Sequence, residues 1–439
     1  MNGIDDLAAA IAGLRVDAAG AEILAKLRLH VVDTVGAWIA TTRTAEGQAL
    51  LAFWRSSGRT LHDDLATHCA LARLSEVDDI HLASMTTPGS VVIPAAMTLA
   101  SNLPNPDPGD VAAAMLAGYE AMIGLGLAIK GPQVLYRGIW PTYFAAGFGT
   151  AAVAARLWRL DARQTAHALA LALTWASPSV GQHHAPTTGR WLSVGHAARN
   201  GLHAAQAAQA GFTADTNVLQ SPLLPDVYGI KPELAAMSTT PAFAQVSLKP
   251  WCAARQTMAA TQALRELLDG GLRAADITEI AAAVLPPHLK MTDHGVKPGD
   301  RASFITSLPY QLAVAALQPE RALVLNPSAA ALPPALASFM AKVKVSADES
   351  LLTDYPAAWP ACVTVKTGSS THEKSVHDVP GDPARPFNEA DVLGKFRRLV
   401  APVLGGEGCE GVLAPGQSVL QSAQSLAALM REIEAACGA

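Results

Sequence analysis

Apolar side chains recur at three- and four-residue intervals through the first 250 residues, a spacing that commits this part of the chain to packed helices. Ile4, Leu7, Ile11 and Leu14 keep it, as do Leu24, Leu27, Val31, Val35 and Trp38. Asn105-Pro106-Asp107-Pro108-Gly109-Asp110 breaks the pattern before a helix expected from about Val111. A further helix is expected from Tyr143 to about Trp158, with small residues for close packing. After about Trp251 the character changes. A helix through Leu268 ends at Gly270-Gly271, Ile277 to Val284 reads as a strand, and Pro286-Pro287 closes it. Ala341–Ser346 and Cys362–Thr367 alternate like strands; Gly368-Ser369-Ser370 turns, and Thr371–His377 is placed to pair back as a hairpin. Residues 381 to 387 read as a linker, and helical spacing returns over Glu389–Val403 and Val419–Ala436. The expected fold is mainly α: a large helical domain over 1–250, to which 388–439 return, and a smaller α+β domain over 251–387.

The composition suits such a fold: half of the 439 residues are hydrophobic, 16% are charged and only 5% are aromatic. That describes a large buried core rather than a disordered chain. A net charge of −5 gives no general attraction to nucleic acid or to anionic membranes, so an anionic ligand needs a local positive pocket. Cys69, Cys252, Cys362, Cys409 and Cys437 are scattered and form no CxxC pair, which argues for a reducing compartment and against a structural metal site. The acidic N-terminus shows no secretory pattern, and the apolar run Val111–Lys130 carries Glu120 and several glycines. We read that run as a buried helix and the expected location as cytoplasmic.

Chemistry concentrates in Gly181–Gly211. His183, His184 and Arg190 sit in a polar loop that leads into an Ala-rich helix expected from about Ser193 and closed by Gly211. Cationic and titratable groups entering a helix N-terminus suit a small anion. A surface loop before an ordinary core helix is the plainer reading of the same residues.

Six stretches together resemble the MmgE/PrpD family, which includes 2-methylcitrate dehydratase, cis-aconitate decarboxylase and iminodisuccinate epimerase. They are EVDDIHLASMTTPGSVVIPAAMTLA (76–100), GIWPTYFAAGFGTAAVAARL (138–157), GRWLSVGHAARNGLHAA (189–205), VSLKPWCAARQTM (246–258), SLPYQLAVAAL (307–317) and VPGDPARPFNEADVLGKF (379–396). The resemblance implies a helical domain with an α+β lid, a homodimer, and proton chemistry beside a carboxylate of a small di- or tricarboxylate, without metal or organic cofactor.

The same resemblance assigns residues. Lys249 stands at the family's lysine, and Arg190 stands where many members have lysine; both are expected to hold carboxylates, and Arg does so bidentately. Tyr310 falls on the family's active-site tyrosine. Asp78 and Asp79 form the acidic cluster before the turn, with Glu76 where decarboxylases carry a further aspartate. Two positions depart: Thr87 and Trp140 stand where many members have histidine, and neither transfers protons near neutral pH. They remain as substrate-lining residues, with His81, His183 and His184 as further proton-transfer candidates. Cys252 reads as packing. The expected activity is a dehydratase-like lyase; an epimerase, needing fewer acids, and an inactive carboxylate binder are the alternatives.

Overall fold

The computed structural model describes residues 3–177, 187–237, 241–327 and 331–438. The helices run in chain order: α1 (Gly3–Gly13), α2 (Ala21–Thr41), α3 (Ala45–Ser56), α4 (Leu61–Leu74), α5 (Gly89–Ser101), α6 (Pro108–Ala128), α7 (Gly131–Leu135), α8 (Pro141–Leu157), α9 (Ala162–Thr174) and α10 (Gly189–Gln209). They continue with α11 (Arg255–Asp269), α12 (Pro286–Thr292), α13 (Arg301–Thr306), α14 (Leu308–Leu317), α15 (Pro334–Met340), α16 (Glu389–Ser418) and α17 (Ala423–Ala436). The strands are β1 (Ile277–Val284), β2 (Val343–Ala347), β3 (Ala361–Thr367) and β4 (Thr371–Val376). The fold is mainly α, a large helical unit and a smaller α+β unit.

The larger unit comprises the chain before residue 178, Thr188–Leu248 and Phe387–Ala439. Its helix starts are written in local chemistry. Asp107 accepts from the Asp110 amide at 2.9 Å while Pro108 fills the first helical position of α6. Capping boxes open α4 (Thr60 with Asp63), α9 (Asp161 with Gln164) and α16 (Asn388 with Asp391). Helix α6 is long and apolar enough to cross a membrane, but its apolar window is 89% buried against neighbouring helices, as a core helix would be. Helices α4 and α10 pack closely because Gly195 faces the Ala66 carbonyl, where any Cβ would collide with the oxygen. Helix α16 lies along α2, and α17 packs on α16 and α5, so the C-terminal segment is part of this core.

A buried ion pair fixes that return. Lys395 of α16 meets Asp33 of α2 at 2.8 Å and donates to the Val77 carbonyl at 2.8 Å. His68 of α4 lies among Trp38 and Trp54 with its Nδ1 2.8 Å from the Thr98 hydroxyl. Burial pulls its pKa from 6.5 to about 3, and His81 is lowered to about 4 for the same reason. Both side chains accept a proton in the unfolded chain near pH 6.5 while the folded protein resists it. Stability is therefore expected to fall as pH drops from 6.5 towards 4, because the unfolded state binds more protons there. Melting temperatures measured across that window check it; a flat profile contradicts it.

The smaller unit contains Lys249–Pro386. Its sheet has the order β2-β1-β3-β4, with β1–β2 parallel and the other two pairs antiparallel. Alternate residues Ala361, Val363 and Val365 are buried, so the sheet has one apolar face, and α11 packs on β3 and β4. Within the stretch read as a linker, Asp382 is 1% exposed: it accepts from Arg255 at 2.6 Å and from the Val379 amide at 2.8 Å. Residues up to Pro386 are thus anchored in this unit, because an internal ion pair holds them to α11.

Candidate active site

A buried polar assembly in the larger unit forms where α4 ends and the chain turns towards α5. Glu76 takes a left-handed backbone, φ 58°, and its carboxylate returns to Arg73 of α4 at 3.0 Å. Asp78 meets the same guanidinium at 3.3 Å. The next residue faces a different set of donors. Asp79, fully buried, accepts from the Tyr119 hydroxyl at 2.6 Å, from His30 Nδ1 at 2.9 Å and from the Gly89 amide at 2.8 Å. A carboxylate only accepts, so the His30 proton sits on Nδ1. Burial lowers the pKa of His30 despite the pull of Asp79, and it raises that of Tyr119. Gly89 is required here: a Cβ would lie 2.5 Å from Asp79 Oδ2. Asp79 thus ties the start of α5 to α2 and α6.

Adjacent carboxylates therefore have divided roles. Asp78 and Glu76 face Arg73; Asp79 is committed to three structural donors.

Beyond Arg73 lie aromatic rings and a second cation. Trp191 lies under Arg73 at 5.9 Å, and Arg190 stands over both Trp140, at 5.4 Å, and Trp191, at 5.7 Å. Arg190 belongs to the first turn of α10 and is 7% exposed, since that helix begins at Gly189 rather than near Ser193. Tyr143, in the first turn of α8, meets Trp140 edge-to-face at 5.6 Å. Its hydroxyl is buried and finds no hydrogen-bond partner among the described residues. Burial pushes its pKa up to about 12, with Arg73 and Arg190 pulling down and Glu76 and Asp78 pushing up. The phenol therefore stays protonated through the neutral range.

The positions where the resemblance implies histidine behave differently. Thr87 is 4% exposed; its amide donates to Thr142 Oγ1 at 3.0 Å, and the two hydroxyls lie 3.2 Å apart. Trp140 supplies a ring face to Arg190. His81 Nδ1 receives the Ser84 amide at 3.2 Å and closes the turn that Ser84 and Thr86 form. His183 and His184 lie outside the described residues. Lys249 and Tyr310 belong to the smaller unit, where both are buried. Tyr310 follows the Ser307 cap of α14 and meets Phe304 edge-to-face at 5.0 Å; burial raises its pKa. Within the larger unit the structure brings together Glu76, Asp78, Trp140 and Arg190 of the residues singled out in the sequence, and adds Arg73 and Tyr143.

Residues 65–223 match the MmgE/PrpD N-terminal domain, and residues 251–412 match the MmgE/PrpD C-terminal domain. Together they cover well over half of the chain. It belongs to the MmgE/PrpD family. No curated protein matches it. Apart from His30, the charged assembly just described lies within the N-terminal domain match, and membership in the MmgE/PrpD family supports a dehydratase or lyase-type activity in general terms. Among the described residues no group of three or more His, Cys, Asp or Glu side chains converges as a metal site would.

Proposed function

We propose that the protein is a cofactor-independent lyase that removes water from a small di- or tricarboxylate. The observation that carries this reading is the buried Tyr143 hydroxyl without a partner among the described residues, on a ring that packs against Trp140 where Arg190 covers it. Other buried side-chain atoms, Thr150 Oγ1 and Tyr355 Oη among them, also lack a partner among the described residues; Tyr143 differs in packing beside an arginine that is itself buried against two tryptophans. Arg190, held by two aromatic faces, clamps a substrate carboxylate; Arg73 holds Glu76 and Asp78 in place.

In this reading Glu76, whose side chain keeps 12% exposure, takes the proton from the carbon next to the clamped carboxylate. The C–H electron pair forms the carbon–carbon double bond, and the hydroxyl on the neighbouring carbon leaves with the Tyr143 proton as water. The phenolate then recovers a proton from Glu76, which restores both groups. A phenol with a pKa of about 12 serves as the acid here, not as the base, and the two arginines stabilise the phenolate that forms. A second reading is epimerisation, in which Tyr143 returns a proton to the opposite face and nothing leaves; it needs fewer acids, so Thr87 and Trp140 at the positions where the resemblance implies histidine weigh less against it.

Incubation in D₂O with citrate, 2-methylcitrate, cis-aconitate, malate or iminodisuccinate, followed by NMR, tests both. Deuterium entering beside a carboxylate with loss of water fits the lyase; deuterium with inversion alone fits the epimerase. Arg190→Ala is expected to raise KM about tenfold or more, as loss of one charge-assisted clamp would. Exchange absent for every substrate, together with an Arg190→Ala variant that binds all of them like the parent, sinks the proposal.

A further inference from the structure

We propose that the substrate carries an alkyl arm, and that the arm lies in an apolar cleft that Tyr143 helps to line. This extends the carboxylate reading above and rests on it. The cleft encloses about 340 Å³ between α3, α4 and α10, within the range of small-molecule sites. Leu50, Phe53, Trp54, Ala70 and Leu192 form its walls, and Tyr143 is shared with the charged assembly. The shared residue is what links the two: Tyr143 lines the cleft and meets Trp140 edge-to-face at 5.6 Å, and Arg190 stands over that same Trp140 ring at 5.4 Å.

The surface chemistry agrees. Phe53 and Leu192, 58% and 45% exposed, are among the large apolar side chains that the larger unit leaves open to water. Charge at the lining is compensated, since Asp63 and Arg199 pair at 3.4 Å, so no net charge there draws an anion. An apolar cleft joined through Tyr143 and Trp140 to the arginine clamp fits a molecule with a charged head and a hydrocarbon tail. The clamp fixes the head, and the tail adds affinity in proportion to the surface it buries.

Calorimetric titration of the full chain with succinate, butylsuccinate and hexylsuccinate tests this. Each methylene that enters the cleft is expected to tighten binding by about fourfold. In Leu192→Asp and Phe53→Asp, both at exposed positions where folding tolerates charge, that gain per methylene is expected to vanish. Succinate binding that does not tighten along the series overturns the alkyl arm and leaves the carboxylate clamp standing. No binding of succinate itself overturns both. A flat series with a shift from dimer to monomer in sedimentation of Phe53→Asp assigns the cleft to a second copy of the chain, which also overturns the proposal.

Discussion

Tyr143→Phe is expected to lower kcat by about 10²- to 10⁴-fold, the usual contribution of a positioned general acid. The substitution removes one oxygen and keeps the ring that packs against Trp140. Because the hydroxyl donates to nothing among the described residues, its loss removes no internal hydrogen bond. Stability is therefore expected to be unchanged or slightly raised, since a buried group without a partner carries a desolvation penalty. KM is expected to move little, because Arg190 still holds the carboxylate. This combination separates a proton donor from a structural tyrosine: the latter loses melting temperature along with rate. Kinetics and thermal unfolding of the one variant decide it. A full-rate Tyr143→Phe enzyme removes the hydroxyl from the mechanism. In the parent, a group with a pKa of about 12 stays protonated through the neutral range, so the alkaline limb of kcat is not expected from Tyr143 below that value.

That tyrosine was not legible as a site residue. In the sequence Tyr143 opens a run of small apolar residues and reads as a core aromatic at helical spacing. Arg73 was equally silent: a basic residue in the last turn of a helix is what the helix dipole favours. Its meaning comes from Glu76, Asp78 and Trp191, and Trp191 lies more than a hundred residues away in sequence. Glu76 and Asp78 were legible only through the resemblance to the family, and Arg190 both through it and as a cation in the polar loop that leads into an Ala-rich helix.

The fold was easier where local chemistry decides. The Asn105–Asp110 breaker announced α6, which starts at Pro108, three residues before the expected Val111, because Asp107 caps it; alternation with Gly368-Ser369-Ser370 placed the β3–β4 hairpin. Two boundaries moved for tertiary reasons. Helix α10 starts at Gly189, which carries Arg190 from the expected loop into a helical turn. Helix α16 resumes after a break at Gly405 (φ 74°), because Cys409, Val412 and Leu413 have a core to fill, although Pro402 and nearby glycines read as an end.

The largest stability effect is expected from Lys395→Met, at about 3–5 kcal/mol, as for other buried pairs that lose one partner. Lys395 and Asp33 are 5% and 1% exposed, so the variant strands a carboxylate in the core between α2 and α16. Burial already holds the Asp33 pKa above 3.8 with the lysine opposing it, and removing that opposition raises it further. The sign of the pH dependence follows. The folded variant then binds a proton that the unfolded chain, titrating near 3.8, does not, so the deficit shrinks as pH falls towards that value. Replacing both partners, Asp33→Leu with Lys395→Met, is expected to recover most of the loss, because two apolar side chains strand no charge. Denaturant unfolding of the single and double variants at two pH values measures all three effects. If the single variant is as stable as the parent, the pair does not hold the C-terminal helices to α2. If the double variant is no better than the single, the lysine acts through its bond to the Val77 carbonyl, which shapes the turn carrying Glu76 and Asp78. In that case the same substitution is expected to lower turnover as well, tying the return of the C-terminal segment to the geometry of the site.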